Sequence, residues 1–301
     1  MRYPPLDREE YIEQTYFFRV YRERLAQNVA TQDILAGVHE EILSTTRLPM
    51  AIDFLRGEIL LNGRLSEAMD RLPHYFAPFQ AYVFSRAEED KSRFDQYTAL
   101  LVLEREADYR ANGATRAGLF IYQFECLSRN RLGYDKGLQA MQNDPLFDDS
   151  WRHFIQKCRR QLGSVDFADL IYYASEQCLI DQQRQLNDPA LESRTALLFG
   201  AKEGRIARAN LGKDPLYMFA AFQRQLGYPA VPRPPRSSRD DQLSPASHNA
   251  RLIIIEKRLA MLEADMRGDL KLDQFYAKKN ELPQLPEDPL DEDVPPLEGP
   301  E

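Results

Sequence analysis

The sequence is poor in the residues from which reactive sites are usually built. Its only cysteines are Cys126, Cys158 and Cys178, an odd number, far apart and never in a CxxC pair. A disulfide framework and a thiolate metal centre are therefore excluded, and reduced thiols packed in a core are expected. None of the four histidines (His39, His74, His153, His248) follows a glutamate by three residues, which removes the Glu-x-x-His spacing that aims diiron ligands into a helical bundle. HExxH, a GxSxG elbow and a phosphate-binding P-loop are missing as well, and with them the zincin, serine-hydrolase and Walker-type nucleotide classes. No cofactor is called for.

Long apolar runs are also lacking. No stretch approaches the roughly 20 apolar residues of a membrane span, and the opening MRYPPLDREEY has no apolar segment of the kind a signal peptide needs. The expectation is a cytoplasmic protein without membrane contact. Nor is there any β-alternation of usable length, so the chain should be all-α.

What is present is helical punctuation around one apolar segment. Phe94 to Arg131 reads as two helices folded back at Asn112-Gly113, and the second arm, Leu119 to Leu127, is apolar on nearly every side apart from Gln123 and Glu125. A helix of that kind is a buried one. Upstream, Asp7 and Glu10 have capping-box spacing, Thr31 is placed to cap a second helix, and Pro49 opens a third that ends at Asn62-Gly63. A short fourth helix follows from Arg64 to Leu72. Pro73 and Pro78 bracket a bend, a potential subdivision of the body, and the helix after Pro78 is either exposed or broken across the charged run Arg86 to Asp95. Downstream, helices are expected over Asp135–Gln142, Asp148–Gln161 and, as one long element, Val165–Leu186. Asp214-Pro215 opens another that stops at Gly227. Short joints between helices predict a multi-helix bundle of antiparallel hairpins, with a solenoid-like stack as the alternative.

The domain plan has four parts: an all-helical body over 1–228, a Pro/Ser/charge-rich disordered linker over 229–249, an amphipathic helix over 250–276, and a disordered acidic Pro-rich tail over 277–301. The third part spaces Leu252, Ile255, Leu259, Leu262 and Met266 three and four apart, a coiled-coil seam of about two heptads. That seam suits either docking on the body or pairing with another helix, so a protein partner or self-association is expected through it. Charge is divided along the last third. Residues 200–239 hold eight basic side chains against two acids, whereas 281–301 hold eight acids and no base. The formal charge of −8 argues against bulk nucleic-acid binding.

Two constellations could carry chemistry. Glu58, Glu125 and Glu176 each sit in an apolar setting; converging, they would form a carboxylate site of raised pKa, and apart they would be ion-pair partners of arginines such as Arg56 or Arg129. In 200–213, Lys202, Arg205, Arg208 and Lys213 are interleaved with Gly200, Gly204 and Gly212, a combination that suits an anionic ligand but matches no phosphate-loop spacing. The reading that follows is a non-catalytic protein–protein interaction or scaffold protein. The alternatives are a phosphate- or RNA-binding module using 200–213, and a helical enzyme with a buried carboxylate site.

Overall fold

The structure is a computed structural model of the chain, and it describes residues 3–89, 94–193 and 195–234. The expected helix over 250–276 with its seam, the tail over 277–301 and the linker beyond Pro234 lie outside the described residues. Within them the chain is all-helical, with thirteen helices and no strand. No helix among these residues is long and apolar enough to cross a membrane.

The first six helices are α1 (Arg8–Ala26), α2 (Thr31–Glu41), α3 (Leu48–Asn62), α4 (Leu65–Asp70), α5 (Pro78–Ala87) and α6 (Gln96–Ala111). Each packs on its neighbour in sequence, and α1 returns to lie along α6. That long-range pairing, together with α5 on α8 and α7 on α13, is what a solenoid lacks, because its units touch only their neighbours. Then come α7 (Arg116–Arg129), α8 (Tyr134–Gln142), α9 (Asp149–Gln161), α10 (Phe167–Tyr173), α11 (Glu176–Leu186), α12 (Ala201–Ala209) and α13 (Pro215–Leu226).

The core is centred where the apolar arm predicts. Every residue of α7 from Gly118 to Leu127 is buried. Phe124 stacks on Phe167 with ring centroids 3.7 Å apart, and Phe120 contacts the rings of Trp151, Phe154 and Phe199. Rings of this size supply most of the burial energy in a core of helices. The three cysteines are free and buried in it.

Several local expectations hold because they depend only on neighbours in sequence. Gly63 and Gly227 end α3 and α13 with φ of 71° and 67°, and the carboxylates of Asp148 and Asp214 accept from the backbone N–H groups of Trp151 and Leu216. Others fail for tertiary reasons. Asp7 makes no side-chain cap, and Glu10, the other half of the expected box, instead accepts from the backbone N–H and side chain of Arg47. Ala30, not Thr31, is the residue before α2, and the Thr31 hydroxyl accepts from Tyr21 instead. The helix beginning at Pro78 does break, giving α5 and α6. The helix expected over 165–186 breaks at Ala174-Ser175, where Glu176 N–H donates to the Phe199 carbonyl and Leu198 N–H to that of Ala174. A returning segment has taken the hydrogen bonds that a continuous helix would have used.

The body also runs past Tyr228. Arg105 donates to the Ala230 carbonyl, Asn130 Nδ2 donates to that of Pro232 at 3.1 Å, and Pro232 is buried. The compact unit extends to Pro234, with Pro73 and Pro78 inside it.

Candidate functional site

The three candidate glutamates each take a separate partner. Glu58 on α3 pairs with Arg71 at 2.6 Å. Glu125 on α7 pairs with Arg129 and accepts from the Tyr228 hydroxyl at 2.7 Å. Glu176 is exposed at the start of α11 and accepts from Ala201 N–H, which caps α12. They act as structural partners, and among the described residues no three His, Cys, Asp or Glu side chains are grouped to hold a metal ion.

The charged centre that does form was not singled out in the sequence. Arg110 of α6 lies buried between Glu106, one turn earlier, and Asp144 of the α8–α9 turn. Arg110 Nε and Nη2 donate to Glu106 Oε1 at 3.1 and 2.6 Å, and Gln123 of α7 donates to the same oxygen at 2.8 Å. Burial works against the Arg110 charge, but the Asp144 and Glu106 carboxylates outweigh it and hold its pKa well above the ordinary value. Glu106 is pushed up, by burial first and by Asp144 second, against the pull of Arg110. Two carboxylates facing one guanidinium leave an excess of negative charge, which is why Asp144 adds to burial in raising the Glu106 pKa. This node joins α6, α7 and the turn before α9, and its signal in sequence is only the i,i+4 spacing of Glu106 and Arg110.

Most of the basic segment is helical, as α12. Lys202, Arg205 and Arg208 lie exposed on α12, and Lys213 follows in the next turn. Arg208 pairs with Asp181 of α11 at 2.6 Å, and Lys213 donates to the Ala209 carbonyl. Gly204 serves packing rather than anion contact: a Cβ there would lie 2.2 Å from Ser175 Oγ and 2.6 Å from Gln177 Cβ. The four cations are all exposed, and two of them are already engaged by partners within the fold.

Two further features need three-dimensional structure to be seen. On α3, Ile52 and Leu55 face the core, while Met50, Leu60 and Leu61 are 69%, 69% and 79% exposed and Phe54 is 37% exposed. Gly57 sits between them, and an added Cβ would meet nothing within 4 Å. The second is a cleft of about 870 Å³ between α9 and α11. The α11 helix leaves the body at Ser175, and the chain returns to the same point at Phe199, so the described residues between them border space that no described side chain fills. One face of α9 (Ser150, His153, Phe154, Lys157) makes one wall. Leu179, Gln182 and Leu186 of α11 make another, over a floor that includes Ala174 and Leu198.

The polar groups of the cleft are not arranged for nucleophilic attack. The Ser175 hydroxyl donates to the Tyr172 carbonyl at 2.6 Å, and burial pushes the Cys178 thiol pKa up. Among the described residues no base lies in hydrogen-bond contact with either. The arrangement has the volume to hold a small molecule. In comparisons with known proteins, no family model matches the chain, and neither a curated protein nor a solved structure is significantly similar to it.

Proposed function

We propose that this is a non-catalytic protein–protein interaction or scaffold protein of the cytoplasm, and that the outer face of α3 receives an amphipathic helix from a protein partner. The reading is carried by the apolar stripe Met50, Phe54, Leu60 and Leu61 around Gly57. Apolar side chains lined up on the solvent face of a regular helix mark an interaction surface, and i, i+4, i+7 anchors are the signature of helix-to-helix docking. From Met50 to Leu61 the stripe is about 16 Å long at 1.5 Å per residue, three turns of a partner.

Gly57 says what kind of partner fits. Glycine within a helix costs about 1 kcal/mol relative to alanine, and no neighbour in the fold requires the small residue here. A second helix crossing at that point does gain from it, since interaxial distance is set by the side chains at the crossing. Asp53 and Arg56, paired at 3.5 Å on the same helix, supply the polar margin usual around an apolar contact. Three buried, unpaired cysteines suit a reducing compartment.

The test is site-specific photo-crosslinking of the full chain in its own cells, with benzoylphenylalanine in place of Leu61 or, as control, of Tyr217, which is 70% exposed on α13. A discrete adduct from position 61, missing from position 217 and abolished by Gly57→Leu or Leu60→Glu, is the expected result. An adduct of twice the chain's mass would make the partner a second copy. No adduct at 61, or one indifferent to Gly57→Leu, would refute the reading.

A further inference from the structure

We infer that the cleft between α9 and α11 is a binding site for a small amphipathic anion, a molecule with an apolar body and one negatively charged head. Its volume of about 870 Å³ falls in the range of small-molecule sites, about 300–1,000 Å³. Such sites combine apolar walls with a few polar groups that fix orientation, and this one does so along a single helix face. Phe154 forms the inner wall of α9, His153 adjoins it, and Lys157 stands one turn further along.

The chemistry of the head follows from Lys157. Lys157 makes no ion pair among the described residues, although it is exposed at the cleft. The Nδ1 of His153 is 2.6 Å from the Asp149 carbonyl and donates its proton there, so the charge that α9 offers to the head is that of Lys157. Glu192, the one acid among the described residues that line the cleft, belongs to the loop and not to the α9 wall. An anionic head is therefore favoured beside α9.

The chemistry of the body follows from apolar surface that the fold leaves uncovered. Tyr173, Leu186 and Leu197 border the same cleft and are 53%, 67% and 39% exposed. With Leu179, Leu191 and Leu198 they would surround an apolar body from the side opposite Phe154. Water is a poor occupant of such walls, and burying them against a ligand is favourable.

The experiment titrates the full-length protein with two probes sharing an aromatic body: 8-anilinonaphthalene-1-sulfonate, which carries an anionic head, and N-phenyl-1-naphthylamine, which carries none. Trp151, the only tryptophan of the chain, lies with its ring centroid 6.0 Å from that of Phe154, so energy transfer from it reports binding of a probe, and the substitutions that follow assign the site. Saturable binding of one sulfonate per chain is expected, with quenching of Trp151 and about tenfold weaker binding of the neutral probe. Lys157→Gln should weaken the sulfonate by a similar factor and leave the neutral probe unchanged. Gln182→Phe, which fills the cleft from an exposed position, should weaken both. Equal affinity for the two probes, an unaltered sulfonate titration in Lys157→Gln, or binding abolished by Leu61→Lys on α3 instead would each overturn the inference. The last outcome would leave the α3 reading standing.

Discussion

Two helices of this protein look alike in sequence and end in opposite environments. Both α3, LPMAIDFLRGEILLN, and α7, RAGLFIYQFECLSR, carry apolar residues on most sides. In α7 the whole run from Gly118 to Leu127 is buried, whereas α3 buries Ile52 and Leu55 and leaves Met50, Leu60 and Leu61 in solvent. An all-round apolar helix implies that its surface will be covered. The comparison teaches that the cover need not come from the same fold: α7 is enclosed by its own chain, and α3 presents a surface that its own described neighbours do not use.

The largest expected effect lies on the enclosed side. Phe120→Ala removes a ring that touches Trp151, Phe154, Phe167 and Phe199, and should cost about 3–5 kcal/mol in urea unfolding. A loss below about 1 kcal/mol would mean that the α7 core is loosely packed and the contrast with α3 is weaker than the structure implies.

Arg110→Leu should be of similar size, about 3–5 kcal/mol, because it leaves Glu106 and Asp144 buried without their cation. Glu106→Gln should behave differently. Burial raises the Glu106 pKa in the folded state, so the folded protein holds that proton more tightly than the unfolded chain does. This contribution to stability is complete below the ordinary glutamate value of about 4.3 and is lost as pH rises from there through the raised folded value. Glutamine keeps the Oε1 acceptor and stays neutral, so Glu106→Gln should flatten that decline. A wild-type and mutant difference that stays constant from pH 4 to 8 would show that the node does not titrate with folding.

The smallest effects belong to the uncovered side. Leu61→Lys should change unfolding stability by less than about 0.5 kcal/mol, as surface substitutions usually do. Gly57→Ala should stabilise by up to about 1 kcal/mol, since the added methyl meets no neighbour in the fold. Should either change instead destabilise the isolated chain by more than about 2 kcal/mol, α3 would be covered in solution by part of the protein itself.

How much of this is legible in the sequence depends on range. The turns at Gly63 and Gly227 and the caps at Asp148 and Asp214 follow from neighbouring residues, and the buried arm follows from its own composition. The break at Ala174-Ser175 does not, because its cause is Phe199, more than twenty residues downstream. Gly204 looks like a loop glycine until Ser175 and Gln177 are found against it. The same applies to the candidate sites. The cleft exists because the chain returns to Ser175, and the charged node exists because Asp144 folds over a helix that ended more than thirty residues earlier. Of the charged residues singled out from sequence, Glu125 is buried in the core and the four cations of 202–213 are exposed; none of them meets the others as a reactive centre.

The segment Tyr228–Pro234 has a mechanical consequence. Tyr228 is tied to Glu125, Ala230 to Arg105 and Pro232 to Asn130, so the chain leaves the body fastened to α6 and α7 and the turn between α7 and α8. Tension applied beyond Pro234 is thus delivered to the centre of the molecule before it reaches α13. Pulled from that end in an optical trap, the protein should hold until the ties at Pro232, Ala230 and Tyr228 have broken, and only then release α13.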